Sequence, residues 1–191
     1  FNSVMKVSTA TLEQFGLKSN NTAKMIQNTQ RVTDSLSYVA NKTSAGFGDM
    51  GEAMEYVGPV AHGLNMSLEQ TSAAIGLMSN QGIEGQKAGT ALRGALDQLM
   101  NPTAQNTAAF KKMGVSVENF KKGTLTLPDM LDKIKNNTKD WTAQSRQAAL
   151  SQAFGAEAQA GMNILIQEGG DKLRDLTAQT KGATGYTKKL A

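Results

Sequence analysis

The chain has 191 residues and a net charge of +4, with 39% apolar residues, 5% aromatic residues, one histidine and no cysteine. That is length for one domain with a buried core, built mainly of aliphatic and Met side chains. Disulfide and thiolate chemistry is excluded, as is a multi-histidine metal centre, and no apolar run reaches the roughly 20 residues that span a bilayer.

Residues 1–45 are polar, with sparse apolar positions at Met25, Ile26, Val32, Leu36 and Val39. One helix is expected up to about Phe15, a break over 16–21, and a second helix from about Thr22 to Lys42. The chain starts at Phe1 without an initiator Met and without a signal-peptide core, which suggests a fragment or a processed product. A third helix covers Phe47 to Leu64, with Met50, Met54, Val57 and Ala61 inward and a kink expected at Pro59. Asp49, Glu52 and Glu55 share one of its faces and read as a solvated acidic surface, not an acid/base set. His62 finds no second imidazole and reads as a packed or half-exposed side chain.

Ser67 and Gln70 stand at capping-box spacing before a fourth helix, which Gly82 stops. The stretch from Leu64 to Thr103 places five glycines among helix formers. A fifth helix is expected over Gly85 to Met100, with Leu92, Ala95, Leu96, Leu99 and Met100 as its apolar stripe. Gly89 and Gly94 each cost about 1 kcal/mol relative to alanine there, so the block reads as a tightly crossed helical pair. Gly85 and Gly89 form GxxxG, but Gln86, Lys87 and Thr90 flank them, which favours a soluble crossing over a membrane one. GIEGQKAGT has the wrong glycine and lysine spacing for a phosphate-binding loop. Arg93 stands among small and apolar residues; a buried or half-buried ion pair is the expected role, with a partner contact as the alternative.

Pro102 ends the fifth helix, and a sixth runs to Lys112. From Gly114 to Leu127 the pattern alternates, in GVSVENF and GTLTL, and a small β-hairpin is expected. Pro128 opens the next helix; others are expected near Thr142 to Phe154, Ala156 to Glu168 and Asp171 to Thr180, followed by a polar basic tail. The basic excess lies in residues 101–191, with 13 Lys and Arg against 8 Asp and Glu. Its clusters, such as Lys111 with Lys112, read as solvated faces because acids are interleaved and stacking aromatics are missing.

The run GIEGQKAGTALRGALDQLMNPT, preceded by AAIGLM and followed by GVSV and AFGAEAQAG, resembles the conserved domain of phage tail tape measure proteins. The blocks match in order from about Asp49 to about Thr180. The fold expected is a mostly helical, irregular domain of about nine short helices with one minor hairpin. Its divisions are a polar N-terminal segment, 1–45, a conserved helical domain, 46–180, and a tail or linker, 181–191. The resemblance implies a structural virion protein in the tail tube lumen or tail tip, assembled in the host cytoplasm and acting in tube assembly, length determination and genome ejection. It implies as partners other copies of itself, tail tube and tip proteins, and the host membrane and phage DNA in transit, with no small-molecule substrate, cofactor, metal or catalytic residue. Gly82, Gly85, Gly89, Arg93, Gly94, Phe154 and Gly155 are its candidate structural or partner contacts. A membrane-active pore-forming module and a wall-lytic domain are the rivals, the second lacking an identifiable carboxylate pair.

Overall fold

The helices begin where a side chain caps them. Asn21, Ser67, Thr103, Ser116, Thr126 and Thr142 each accept the backbone N–H three residues on, satisfying a donor that the first turn leaves free. The computed structural model describes residues 2–190. In chain order its helices are α1 (Asn2–Gln14), α2 (Thr22–Lys42), α3 (Phe47–Gly63), α4 (Leu68–Asn80), α5 (Gly85–Met100) and α6 (Ala104–Lys112). There follow α7 (Val117–Lys122), α8 (Leu127–Thr138), α9 (Ala143–Phe154), α10 (Ala156–Glu168), α11 (Gly170–Lys181) and α12 (Tyr186–Leu190).

The core forms around α4, where every residue from Leu68 to Ser79 except Gln70 is buried. A helix buried all round must satisfy its own polar groups. Thr71, Ser72 and Ser79 do so by donating their hydroxyls to the carbonyl one turn back, at 2.8, 2.7 and 2.9 Å. Helices α2, α3, α10 and α11 surround it, and α5 lies between α3 and α10. Helix α1 runs beside α3, with Val7 over Gly51 and Gln14 over Gly58, and α2 buries Val32, Leu36 and Val39. At Gly76 a Cβ would meet Val39 at 2.5 Å, so α2 also rests on a glycine.

Two expectations are corrected. There is no β-hairpin over 114–127, and no strand among the described residues; the segment holds α7, one of twelve described helices where about nine were expected. Ser116 caps α7 and Gly123, at φ 81°, closes it. Val117 and Phe120, which would point to opposite faces of a strand, stand at i and i+3 on one helical turn, both buried. A five-residue extended run with no third strand leaves backbone groups unpaired on burial, whereas a capped turn satisfies them locally. The twelfth helix, α12, falls within the stretch read as a polar tail and packs on α2.

Candidate functional site

Helix α5 is held against two neighbours by contacts of backbone and small side chains. At Gly89 an added Cβ would stand 2.5 Å from the Ala53 carbonyl oxygen and 2.8 Å from its Cα, so α3 crosses with its backbone on the glycine. No side chain can rotate away there. On the side facing α10, Gly161 leaves room for Ala91, whose Cβ lies 2.9 Å from where a Cβ at 161 would be. Gly94 faces Ala158 at 3.8 Å, ordinary van der Waals contact. Gly89 and Gly94, one turn and a fraction apart, thus serve different neighbours with different tolerances.

The remaining predicted residues are spread around this crossing. Gly82 (φ 91°) turns the chain between α4 and α5, with open space where a Cβ would be. Gly85 (φ 53°) opens α5, and a Cβ there would lie 2.9 Å from the Glu52 carboxylate. Gly155 (φ 92°) joins α9 to α10 in a backbone conformation that favours glycine. Phe154 is buried, its ring edge-on to Phe110 at 5.0 Å, which locks α9 onto α6. Arg93 lies half-exposed on the outer face of α5, 3.8 Å from Asp97 one turn on, in a pair open to solvent on both sides. His62 is exposed, edge-on to Phe15 at 6.1 Å.

An open cleft of about 760 Å³ lies at the start of α5, lined by Asp49, Glu52, Glu84, Glu157 and Lys87 among others. Among the described residues no three His, Asp or Glu side chains are grouped to hold a metal ion.

The polar ties that sequence reasoning missed lie elsewhere. Arg31 on α2 donates Nε and Nη2 to the two oxygens of Glu69 on α4, at 2.7 and 3.0 Å. Burial pushes the Glu69 carboxyl up, but the hydrogen bonds and charge of Arg31 outweigh it and hold the group below its ordinary range. Arg174 on α11 bridges Asp129 and Asp132 of α8 and Asp171 of its own helix at 2.7 to 2.8 Å. Hydrogen bonds from Arg174 and then Thr126 hold Asp129 below its ordinary range. Asp132 also accepts Gly170 N–H at 2.8 Å, fixing the start of α11. The partners on different helices stand 38 to 45 residues apart, where no periodicity signals them.

What distinguishes the molecule is packing: a helix set between two others through glycine and alanine contacts, with polar side chains spent on joining helices. That is the build of a structural module. Residues 1–155 match the family described as phage-related minor tail protein, and the chain belongs to that family. It is 34% identical over 182 residues to the tape measure protein of Pneumococcus phage Dp-1, a match covering 95% of this chain and 15% of that protein. It is 33% identical over 162 residues to a probable tape measure protein of Escherichia phage P2, covering 83% of this chain and 20% of that protein. The chain therefore spans a fifth or less of the length of these relatives. No solved structure matches it. The family match takes in α1 and α2, beyond the blocks that carry the resemblance in sequence.

Proposed function

We propose that this chain is a packed helical module of a phage tail tape measure protein, a structural component without catalytic activity that resides in the tail tube lumen or tail tip. The observation that carries this is helix length. The longest helix has 21 residues, which at 1.5 Å per residue is about 31 Å. Helices α1, α3, α4, α11 and α12 pack against its side instead of extending it. Such a unit measures nothing over a tail's length; the extended part of the ruler lies in the rest of a parent several times longer, as in the two relatives. Its proposed partners are other copies of the chain and the proteins of tube and tip, with DNA and the host membrane met in transit. Assembly takes place in the host cytoplasm.

A domain of this length packs into a sphere about 42 Å across, an awkward object for a narrow tube. The module therefore elongates or opens on release. Gly94 and Ala158 provide the test, because their Cβ separation of 3.8 Å matches a disulfide, and the chain has no other cysteine. Phage carrying Gly94→Cys with Ala158→Cys should assemble tails of normal length yet fail to deliver DNA until reductant is added. Normal infection under oxidising conditions, with the cross-link verified, refutes opening; altered tail length refutes the separation of module from ruler.

A further inference from the structure

The chain after α11 is attached by different means from the helices before it. Apolar burial stops at Ala183; from 184 to 190 no residue is buried, and Leu190 is 60% exposed. What holds this segment is chiefly one side chain, Asp34 of α2, itself only 5% exposed. Its two oxygens accept the N–H groups of Gly185 and Thr187, each at 2.9 Å, at the otherwise open first turn of α12. Tyr186 adds an edge-on contact with Tyr38 at 5.3 Å and a hydrogen-bonding contact with the Asn41 amide.

Other features oppose the attachment. The Thr187 hydroxyl is buried with no hydrogen-bond partner, a cost that undocking removes. Two open clefts flank the segment and leave it little packed, one of about 320 Å³ lined by Arg31, Asp34 and Thr184, the other of about 370 Å³ lined by Tyr38, Gln179 and Tyr186. Gly182 and Gly185 bracket the turn, so rotation there swings the segment away without disturbing the buried Leu173, Leu176 and Thr180 of α11.

We propose that residues 183–190 form a latch, a strap clasped onto α2 through the Asp34 carboxylate, which lifts as a unit while the core helices stay packed. Lifting bares Asp34, Tyr38 and Asn41 on α2 and is the lowest-energy opening of the molecule. The latch follows from this chain's own contacts, so its failure leaves the tail-module reading standing, and the reverse also holds.

Amide hydrogen exchange of the 191-residue chain, followed by mass spectrometry, tests it. Asp34→Ala removes both charge-assisted bonds and should speed exchange in 183–190 about tenfold or more, with peptides from α3, α4 and α5 unchanged. Thr187→Val removes the unpartnered hydroxyl at nearly equal volume and should slow exchange in the same segment about fivefold. The second variant keeps Asp34 and carries the test should the first fail to fold. Unchanged exchange in 183–190 on losing Asp34, acceleration of strap and core together, or faster strap exchange in Thr187→Val would each overturn the latch.

Discussion

The α3/α5 crossing and the C-terminal strap both join parts of the chain far apart in sequence, but by opposite means. At the crossing, the Ala53 backbone of α3 rests on Gly89 of α5 among buried Ala and Leu side chains. At the strap, one carboxylate, two backbone N–H groups and a pair of tyrosine rings meet beside open space. Steep short-range packing has one permitted geometry, so the first contact is all or nothing. The second can be broken and remade at small cost because water replaces most of what is lost. Stability and freedom to move are thus assigned to different ends of one fold.

The sharpest way to break this contrast is at residue 89. Gly89→Leu should destabilise by upwards of about 3 kcal/mol, since the Ala53 backbone cannot yield without moving α3, and leucine's better helix propensity returns only about 1 kcal/mol. Thermal melting checks it; a melting temperature equal to or above that of the parent would place Gly89 on an ordinary surface. Even Gly89→Ala should lose stability, because its single added carbon meets backbone at 2.5 Å.

Between the two extremes lies the Arg31–Glu69 pair, polar like the strap but buried on its Glu69 side, where the side chain is 5% exposed. Glu69→Gln should cost about 1 to 3 kcal/mol, because the amide offers one acceptor where Arg31 presents two donors. The charge also makes a pH signature. The Glu69 carboxyl titrates lower in the folded chain than its ordinary 4.5. Its contribution is therefore fully present above that pH and is lost as pH falls through the lower, folded value. Stability of the parent should decline more steeply below about pH 4.5 than that of Glu69→Gln. Parallel acid denaturation curves for the two proteins would show that the pair contributes nothing.

Residue 94 reverses the sign seen at 89. A Cβ there meets only the Ala158 methyl at 3.8 Å, so Gly94→Ala should stabilise by up to about 1 kcal/mol, the helix-propensity gain. Loss of stability instead would mean that α10 sits closer than this packing allows.

These two glycines mark how far the sequence could be read. Helix propensity and the apolar stripe place both on one helix and imply a close crossing near them, but which glycine faces a backbone depends on the angle at which α3 arrives, and nothing local sets that angle. The bounds of α2 and α5 were legible because Asn21 caps the one and Pro102 stops the other. The segment 114–127 misled for the opposite reason. Its caps, Ser116 and Gly123, were present, yet Val115, Val117, Leu125 and Leu127 alternate with polar residues, and six residues are too few for a helical period to show. Asp34, 151 and 153 residues from the donors it binds, gave no signal at all.

The smallest effect is expected at Arg93, and its smallness is informative. The residue lies within the run Gly82 to Thr103 that carries the resemblance in sequence, yet its side chain is 51% exposed and its ion-pair partner, Asp97, is 3.8 Å away and 49% exposed. A pair so placed contributes at most about 0.5 kcal/mol, because water screens it and two long side chains must be ordered to form it. Arg93→Ala should therefore leave the melting temperature of the isolated chain nearly unchanged, at low and at high salt alike. In phage, the same substitution separates the two roles open to this side chain. If Arg93 serves only to cover α5 with its stem, particle yield and infectivity should match the parent. If it meets another tail protein through its outward-facing guanidinium, yield should fall while the isolated chain still melts as before. Arg93→Lys should then fail to restore the yield, since an ammonium cannot reproduce a planar, two-pronged contact. A large loss of stability in the isolated chain would contradict the exposed placement of the residue and with it both roles.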